Sequence, residues 1–408
     1  MAIQRLHTYC AMCISRCGVV ATVEDGRLTM VNADPAHPNG CICVKGTAAP
    51  EIVYSPDRLR SPMKRTRPKE DPDPGWAPIS WDEALELTAS CLLALKARFG
   101  PEAVVFAHGT PSGSATSDSV PWLQRLANAF GSPNLMSSIH ICNWNRTYGS
   151  QYTYGVPTPA PDYDNSRCIL LWGFNPHASW PAAAARISQA KARGAQVIVV
   201  DPRRSGAGDK ADLWLKVRPG GDVALALSMI HVLLEENLYD REFVRDWTNG
   251  AFLVREDNNQ LLTAGDLSHS GDKDTYFVCN DCNGELVSYR PEQGYGRDGV
   301  LPGLKGNHNV TLSDGCVVGC RPSFDRLAEL AAQFAPERVE HSTWVAAHEV
   351  RRTARMFAAE KPSCYYSWAG IEQHDNATGM NRALCIFFAL TGQFDRRGSN
   401  LLYTTTSI

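Results

Sequence analysis

Two short runs constrain the fold more than anything else in the chain. Cys168-Ile-Leu-Leu-Trp172 and Gln196-Val-Ile-Val-Val200 are apolar almost throughout, and a helical stretch from about Pro181 to Arg193 separates them. A strand that is apolar at every position is buried on both faces. Two such strands joined through a helix form a parallel pair, because only a crossover returns the chain to the same end of a sheet. The pattern recurs. Ala103-Val-Val-Phe-Ala107 is an expected strand, leading through the small-residue loop 108–114 into a helix that ends near Phe130. Residues 213–217 form another, followed by Pro219-Gly-Gly-Asp222 and a helix to about Glu236. Ser80 caps a helix expected over about 82–98, with Glu83 placed to complete a capping box. Further helices are expected at about 324–334, 345–359 and 378–390, and a strand at 363–368. Strands alternating with helices make this an α/β protein with parallel sheets. Residues 61–78 read as a Pro- and charge-rich linker, and the polar, Gly/Asn/Asp-rich stretch 250–320 as an insertion or small β subdomain.

The N-terminus carries different chemistry. Cys10-x2-Cys13-x3-Cys17 is a tight group of thiols, with a further one at Cys41 or Cys43. Three thiolates on one loop plus a distant partner suit a [4Fe–4S] cluster. A four-cysteine zinc site is the alternative, and inert thiols a third reading. Residues 18–23 and 28–31 flank Asp25-Gly26 and read as a hairpin. The first nine residues hold neither an apolar signal core nor twin arginines, so a cytoplasmic location is expected. A reducing compartment directs clustered cysteines toward metal or catalysis rather than disulfides. Cys91, Cys168 and Cys385 sit in apolar runs and read as core residues. Cys279, Cys282, Cys316 and Cys320 are irregularly spaced; unpaired thiols are the default there, a zinc site or second cluster the alternative.

Composition closes several doors. A net charge of −3 over 408 residues gives no basic field for nucleic acid, and no run of apolar residues is long enough to span a membrane. A small-molecule substrate fits better. Open parallel sheets bind ligands at the carboxyl ends of their strands. Gly173 and Asn175 stand at one such end, and Asp201 and Arg203 at another. Asp201 suits a ribose or guanine edge, and Arg203 a pyrophosphate. Asp222, after Gly220 and Gly221, would accept from guanine nitrogens; helix capping is the plainer role for both acids.

Several of these pieces together resemble one family. Cys43-Val-Lys45-Gly46, the three-cysteine start, the Asp25-Gly26 hairpin, Ile79-Ser-Trp-Asp-Glu-Ala84, Val200-Asp-Pro-Arg203 and Leu390-Thr-Gly392 with Gly398 resemble the bis-pterin molybdenum and tungsten enzymes of the dimethyl sulfoxide reductase superfamily. The resemblance spans essentially the whole chain. It implies an α/β fold with a small N-terminal β iron–sulfur domain (1–60), then two Rossmann-like parallel α/β domains. One would be discontinuous, 61–140 with 340–408; the other, 141–339, would bind nucleotide and carry the insertion.

The resemblance also implies cofactors and roles. Cys10, Cys13, Cys17 and Cys43 would hold a [4Fe–4S] cluster, with Cys41 a bystander and Lys45 passing electrons between cluster and pterin. Cys142, in Ser138-Ile-His-Ile-Cys142-Asn-Trp-Asn-Arg146, would bind molybdenum or tungsten. Two molybdopterin guanine dinucleotides would be held by Gly173, Asn175, Asp201, Arg203, Gly220 and Asp222, and by Gly370, His374 and Asn376 in Gly370-Ile-Glu-Gln-His374-Asp-Asn376.

Resemblance at the Cys142 segment and at Leu171-Trp-Gly-Phe-Asn-Pro176 points to the acetylene hydratase-like branch. Hydration there uses an Asp directly after the second cluster cysteine. Ile14 holds that position here, and Ile cannot donate a proton. Formate oxidation pairs the metal-binding residue with a following His, and here Asn143 follows. What this leaves is oxygen-atom transfer, hydroxylation or dehydrogenation of a small substrate, with electrons leaving through the cluster, and a second iron–sulfur or other electron-transfer subunit as partner. The alternatives are a non-redox hydratase, or an inactive or relay subunit, against which Cys142, Asp201 and Asp222 argue. Family members continue into a C-terminal domain that closes over both pterins, so that domain is expected to be missing from these residues or supplied by another chain.

Overall fold

The computed structural model describes residues 2–13, 15–109, 116–204 and 206–402. The chain folds as two compact units, residues 1–142 with 176–185, and residues 143–175 with 186–408.

The first unit begins with an antiparallel sheet of β1 (Ile3–Tyr9), β2 (Gly18–Glu24) and β3 (Arg27–Ala33), in that order. The β2–β3 turn is the expected one: Asp25 and Gly26 both take positive φ, 47° and 81°, as a type I′ turn requires. A single-turn helix α1 (Val44–Thr47) follows. Helix α2 (Trp81–Phe99) starts where Ser80 accepts a hydrogen bond from Glu83 N at 3.1 Å. The Glu83 carboxylate meets Lys64 at 3.3 Å, which takes it toward a neighbouring strand rather than back to the cap. The expected strand 103–107 is shorter and later, β4 (Phe106–His108), because Pro101–Ala103 form a 3-10 turn. Thr110–Ser114 of the small-residue loop lie outside the described residues. After α3 (Thr116–Phe130), β5 (Leu135–Ser137) pairs parallel with β4, and Phe106 meets Phe130 edge-on at 5.5 Å. The short α4 (Ile139–Cys142) ends the stretch.

The second unit opens with α5 (Trp144–Tyr154). β6 (Cys168–Trp172) and β7 (Gln196–Val200) have the bounds that their apolar runs define; the chain between them includes α6 (Pro181–Ala192), whose residues up to Ala185 belong to the first unit. β8 (Leu213–Leu215) comes next, then α7 (Asp222–Glu235). From Leu225 to Leu233 that helix is almost wholly enclosed, which accounts for a sequence apolar on every side. The polar stretch folds into β9 (Leu253–Arg255), β10 (Tyr276–Cys279), β11 (Leu286–Tyr289), β12 (His308–Thr311) and β13 (Val317–Pro322). They form two small antiparallel sheets, β9-β13-β12 and β10-β11. Leu253, Leu262, Val310, Leu312 and Cys320 pack a separate core there. Helices α8 (Ser323–Ala332) and α9 (Ala347–Ala359) lead to β14 (Ser363–Ser367) and α10 (Ala377–Leu390). A further helix, Pro336–Thr343, was not expected from the pattern.

The main sheet is parallel throughout, in the order β8-β7-β6-β14. The expected boundaries at 140 and 340 set β14 and β6 in different domains, whereas the strands are hydrogen-bonded from Ser363↔Cys168 to Ser367↔Trp172. Both strands are enclosed on both faces; β6 is paired on both edges, while β14 ends the sheet and its outer edge is met at Tyr365 by the Asn400 side chain. No described helix is long and apolar enough to cross a membrane.

Candidate functional site

The cysteine loop joins β1 to β2, and its neck is closed by Cys10 N donating to Cys17 O at 2.8 Å. Cys17 is buried; Cys10, Cys13, Cys41 and Cys43 are half-buried. Burial pushes the Cys17 thiol up to about 11, helped by the neighbouring thiols of Cys41, Cys13, Cys10 and Cys43. All five therefore share one neighbourhood, and Cys41 belongs to it. Among the described residues no three metal-binding side chains converge on a single-ion site. Cys43 behaves oppositely to Cys17. It stands at the N-cap of α1. Burial raises its thiol, but the N–H groups of Gly46 and Lys45 and the Lys45 ammonium together hold it below the ordinary value. A thiolate at a helix N-terminus beside a lysine is a ready iron ligand. Gly46 leaves room here: a Cβ would lie 3.3 Å from Cys10 Sγ and 2.8 Å from Ile42 Cγ1. Lys45 itself is exposed. Ile14 lies outside the described residues. Cys142 ends α4, half-buried.

In the second unit, the main sheet presents its carboxyl edge. The chain steps from β6 to β7 to β8 in one direction, and β14 returns on the far side of β6. The switch point therefore lies between β6 and β14, where such sheets open a ligand crevice. The loops leaving these strands meet at two glycines. Gly370 N donates to Gly173 O at 3.1 Å. Gly173 has φ +58°, and a Cβ on it would lie 2.9 Å from Gly370 Cα; one on Gly370 would lie 2.6 Å from Gly173 Cα. Asn175 is half-buried and lies against Gly206, where a Cβ would come within 2.5 Å of its Oδ1.

The acids along this edge are differently employed. Asp201 Oδ1 accepts from Arg203 N at 2.8 Å, and burial raises its carboxyl against the pull of that N–H and the Arg203 charge. Arg203 is exposed. Asp222, only 4% exposed, opens α7 after Gly220 (φ +87°), and its Oδ1 accepts from Trp172 Nε1 at 2.8 Å. Burial raises its carboxyl as well, opposed by that hydrogen bond and the nearby His374 charge. Asp222 thus ties the end of β6 to the start of α7. Asn376 sits at the N-cap of α10 with φ +57°, and its side chain makes no capping bond. His374 Nδ1 lies 3.1 Å from Asp375 O. Its Nε2 is buried and makes no hydrogen bond among the described residues. A buried, unpartnered ring nitrogen near two bare glycine backbones is what a polar, flat cofactor would satisfy.

Two residues were not singled out from the sequence. Trp172 has no role of its own in the strand or in the Leu171–Pro176 segment as read from sequence, and Glu372 none in the Gly370–Asn376 loop. Glu372 is 3% exposed, and Arg146 N donates to its Oε2 at 2.9 Å. Burial pushes its carboxyl up to about 7, against the Arg146 charge and N–H. Cys279 and Cys320 are buried on different sheets, while Cys282 and Cys316 are exposed.

Comparison with known proteins gives these sites a context. The molybdopterin oxidoreductase Fe4S4 domain matches residues 3–55, and the molybdopterin oxidoreductase family matches residues 58–405. This favours iron over zinc at the cysteine loop. The perchlorate reductase subunit alpha of Dechloromonas aromatica is 29% identical over 95% of the chain and 44% of its own length. The thiosulfate reductase molybdopterin-containing subunit of Salmonella typhimurium is 36% identical over 59% of the chain and 31% of its own length. The solved structure of acetylene hydratase from Pelobacter acetylenicus superposes with a TM-score of 0.65 at 26% identity, covering 95% of this chain and 43% of that one. The chain thus spans under half the length of the relatives it matches. It belongs to the molybdopterin oxidoreductase family and carries its Fe4S4 domain, the parts that hold a [4Fe–4S] cluster and molybdopterin with molybdenum or tungsten.

Proposed function

We propose that these residues form the cofactor-binding part of a redox enzyme that moves an oxygen atom or a pair of hydrogens to or from a small substrate. The observation that carries the reading is Cys43. Its thiol is held toward the anion at the head of α1, with Lys45 in the same turn. When bound, the metal–pterin centre supplies two-electron chemistry and the cluster a one-electron outlet. Cys10, Cys13, Cys17 and Cys43 hold the cluster, and Lys45 couples it to a pterin. Cys142 supplies a thiolate to the metal, a soft donor suited to a centre already ligated by sulfur. Two guanine dinucleotides would be held at the carboxyl edge. Gly173 and Gly370 would let backbone approach closely, and the buried His374 Nε2 would meet the pterin. Asn175, Asn376, Asp201, Gly220 and Asp222 address guanosine and Arg203 addresses pyrophosphate.

A non-redox hydratase is the second reading, favoured by the likeness to acetylene hydratase and disfavoured by Ile14. Relatives named as subunits of a perchlorate reductase and a sulfite dehydrogenase support a partner subunit that takes up or delivers electrons.

Two measurements on anaerobically purified holoenzyme test this. Metal and nucleotide analysis should find iron at about four per chain, molybdenum or tungsten, and guanine released on acid hydrolysis; stoichiometric zinc without iron would end the reading. X-ray absorption at the molybdenum or tungsten edge should count fewer sulfurs in Cys142→Ala. An unchanged count means that another group fills that position.

A further inference from the structure

The start of α5 is unusual. Its N-cap, Asn143, makes no side-chain capping bond. The first-turn N–H groups of a helix need acceptors, and a carboxylate there also suits the helix dipole. For Arg146 N that acceptor comes from far along the chain: Glu372 Oε2, at 2.9 Å. The neighbouring Asn145 adds two ties, donating through Nδ2 to Glu372 O and accepting through Oδ1 from Thr378 Oγ1, both at 2.7 Å.

The Arg146 side chain then turns into the protein. It is 7% exposed, donates through Nη1 to Ser367 O at 3.0 Å, and lies with its guanidinium carbon 4.0 Å from the Trp368 ring centre. Its Nε and Glu372 Oε1 stand 3.7 Å apart, and neither is hydrogen-bonded among the described residues. Further along, a Cβ on Gly149 would lie 2.7 Å from Asn381 Cβ, so α5 and α10 run in close contact.

A buried pair with leftover polar atoms is a poor way to gain stability, because desolvation offsets most of the attraction. It is a good way to set one geometry. The residue directly before the Asn143 cap is Cys142. The residues flanking Glu372 by two on either side are Gly370 and His374, at the edge where the pterin reading places the cofactor. We propose that Glu372 is a positioning residue, capping α5 from the 370–376 loop and so fixing where the helix that follows the metal-binding Cys142 begins. This rests on the reading of Cys142 as the metal ligand.

The test is the electron paramagnetic resonance signal of the half-reduced metal in the holoenzyme, compared at matched molybdenum or tungsten content. Glu372→Ala removes the acceptor and should shift the g values and broaden the signal. Glu372→Gln keeps an oxygen at the same reach and should restore the native signal, although it removes the charge. Asn145→Ala cuts the second tie and serves if Glu372→Ala does not fold; it should shift the signal in the same sense. Cys142→Ser is run alongside. If it alters the signal while Glu372→Ala and Asn145→Ala leave it native, the positioning role is wrong and the ligand reading stands. If Cys142→Ser also leaves the signal native, the ligand reading fails and takes this proposal with it.

Discussion

Replacing Gly173 with Ala should cost the second unit about 2–5 kcal/mol, from two sources that are separable. The first is conformational: φ is +58°, and an L side chain in the left-handed region costs roughly 1–2 kcal/mol. The second is contact. The new methyl would lie 2.9 Å from Gly370 Cα and 3.0 Å from its carbonyl carbon, against a comfortable carbon–carbon separation of about 3.5–4.0 Å. The obstacle is backbone, so no rotamer relieves it. The loops must part and stretch the Gly370 N–Gly173 O hydrogen bond, now 3.1 Å. Overpacking of this kind costs about 1–3 kcal/mol. Gly294→Ala is the control: φ is +62° with nothing within 4 Å of the added methyl, so it carries the conformational cost alone. Urea unfolding followed by circular dichroism should place Gly173→Ala about 1–3 kcal/mol below Gly294→Ala. Equal losses in the two variants would refute the argument that the crossing of the two loops is what demands glycine.

The cluster should lose iron in Cys43→Ser, while Cys41→Ser keeps it, measured as iron per chain after anaerobic purification; full iron in both would remove Cys43 from the ligand set. Lys45→Ala should leave iron intact and slow turnover sharply with an acceptor that draws on the cluster. Glu372 should impose a pH dependence on stability. Its carboxyl rises from the unfolded value to about 7 in the folded protein, so its stabilising protonated form is complete below the unfolded pKa. That contribution is lost as pH rises from there through about 7, by about 3 kcal/mol in all. Unfolding midpoints of Glu372→Gln should fall less between pH 5 and pH 8 than those of the native protein, and parallel curves would contradict the burial argument.

The parts of the fold that were legible were those whose pattern has one solution. β6 and β7 could be bounded to the residue because uninterrupted apolar runs fit only a doubly covered strand. The β2–β3 turn was readable because Asp-Gly is the dipeptide that accepts two positive φ values. β1 escaped notice because every one of its residues is exposed, so no alternation marks it. The pairing of β14 with β6 was hidden for a different reason, since periodicity says that a strand is buried and nothing about its neighbour. The candidate site follows the same division. Thiol spacing announces itself, and so do Asp-Pro-Arg and Gly-Gly-Asp after a strand. The Trp172–Asp222 hydrogen bond and the Glu372 cap do not, because each joins residues that only the finished fold brings together.

The place of β14 has a consequence for biosynthesis. Its partner β6 leaves the ribosome roughly 195 residues earlier, a long loop for a chain to close. Until residue 367 is made, β6 presents one edge of unpaired backbone groups, and the Gly173–Gly370 contact does not exist. A nascent chain in that interval is a substrate for chaperones and a template for aggregation. The carboxyl edge between β6 and β14 can form only after β14 docks, whereas the cysteine loop, complete by residue 43, is made long before it.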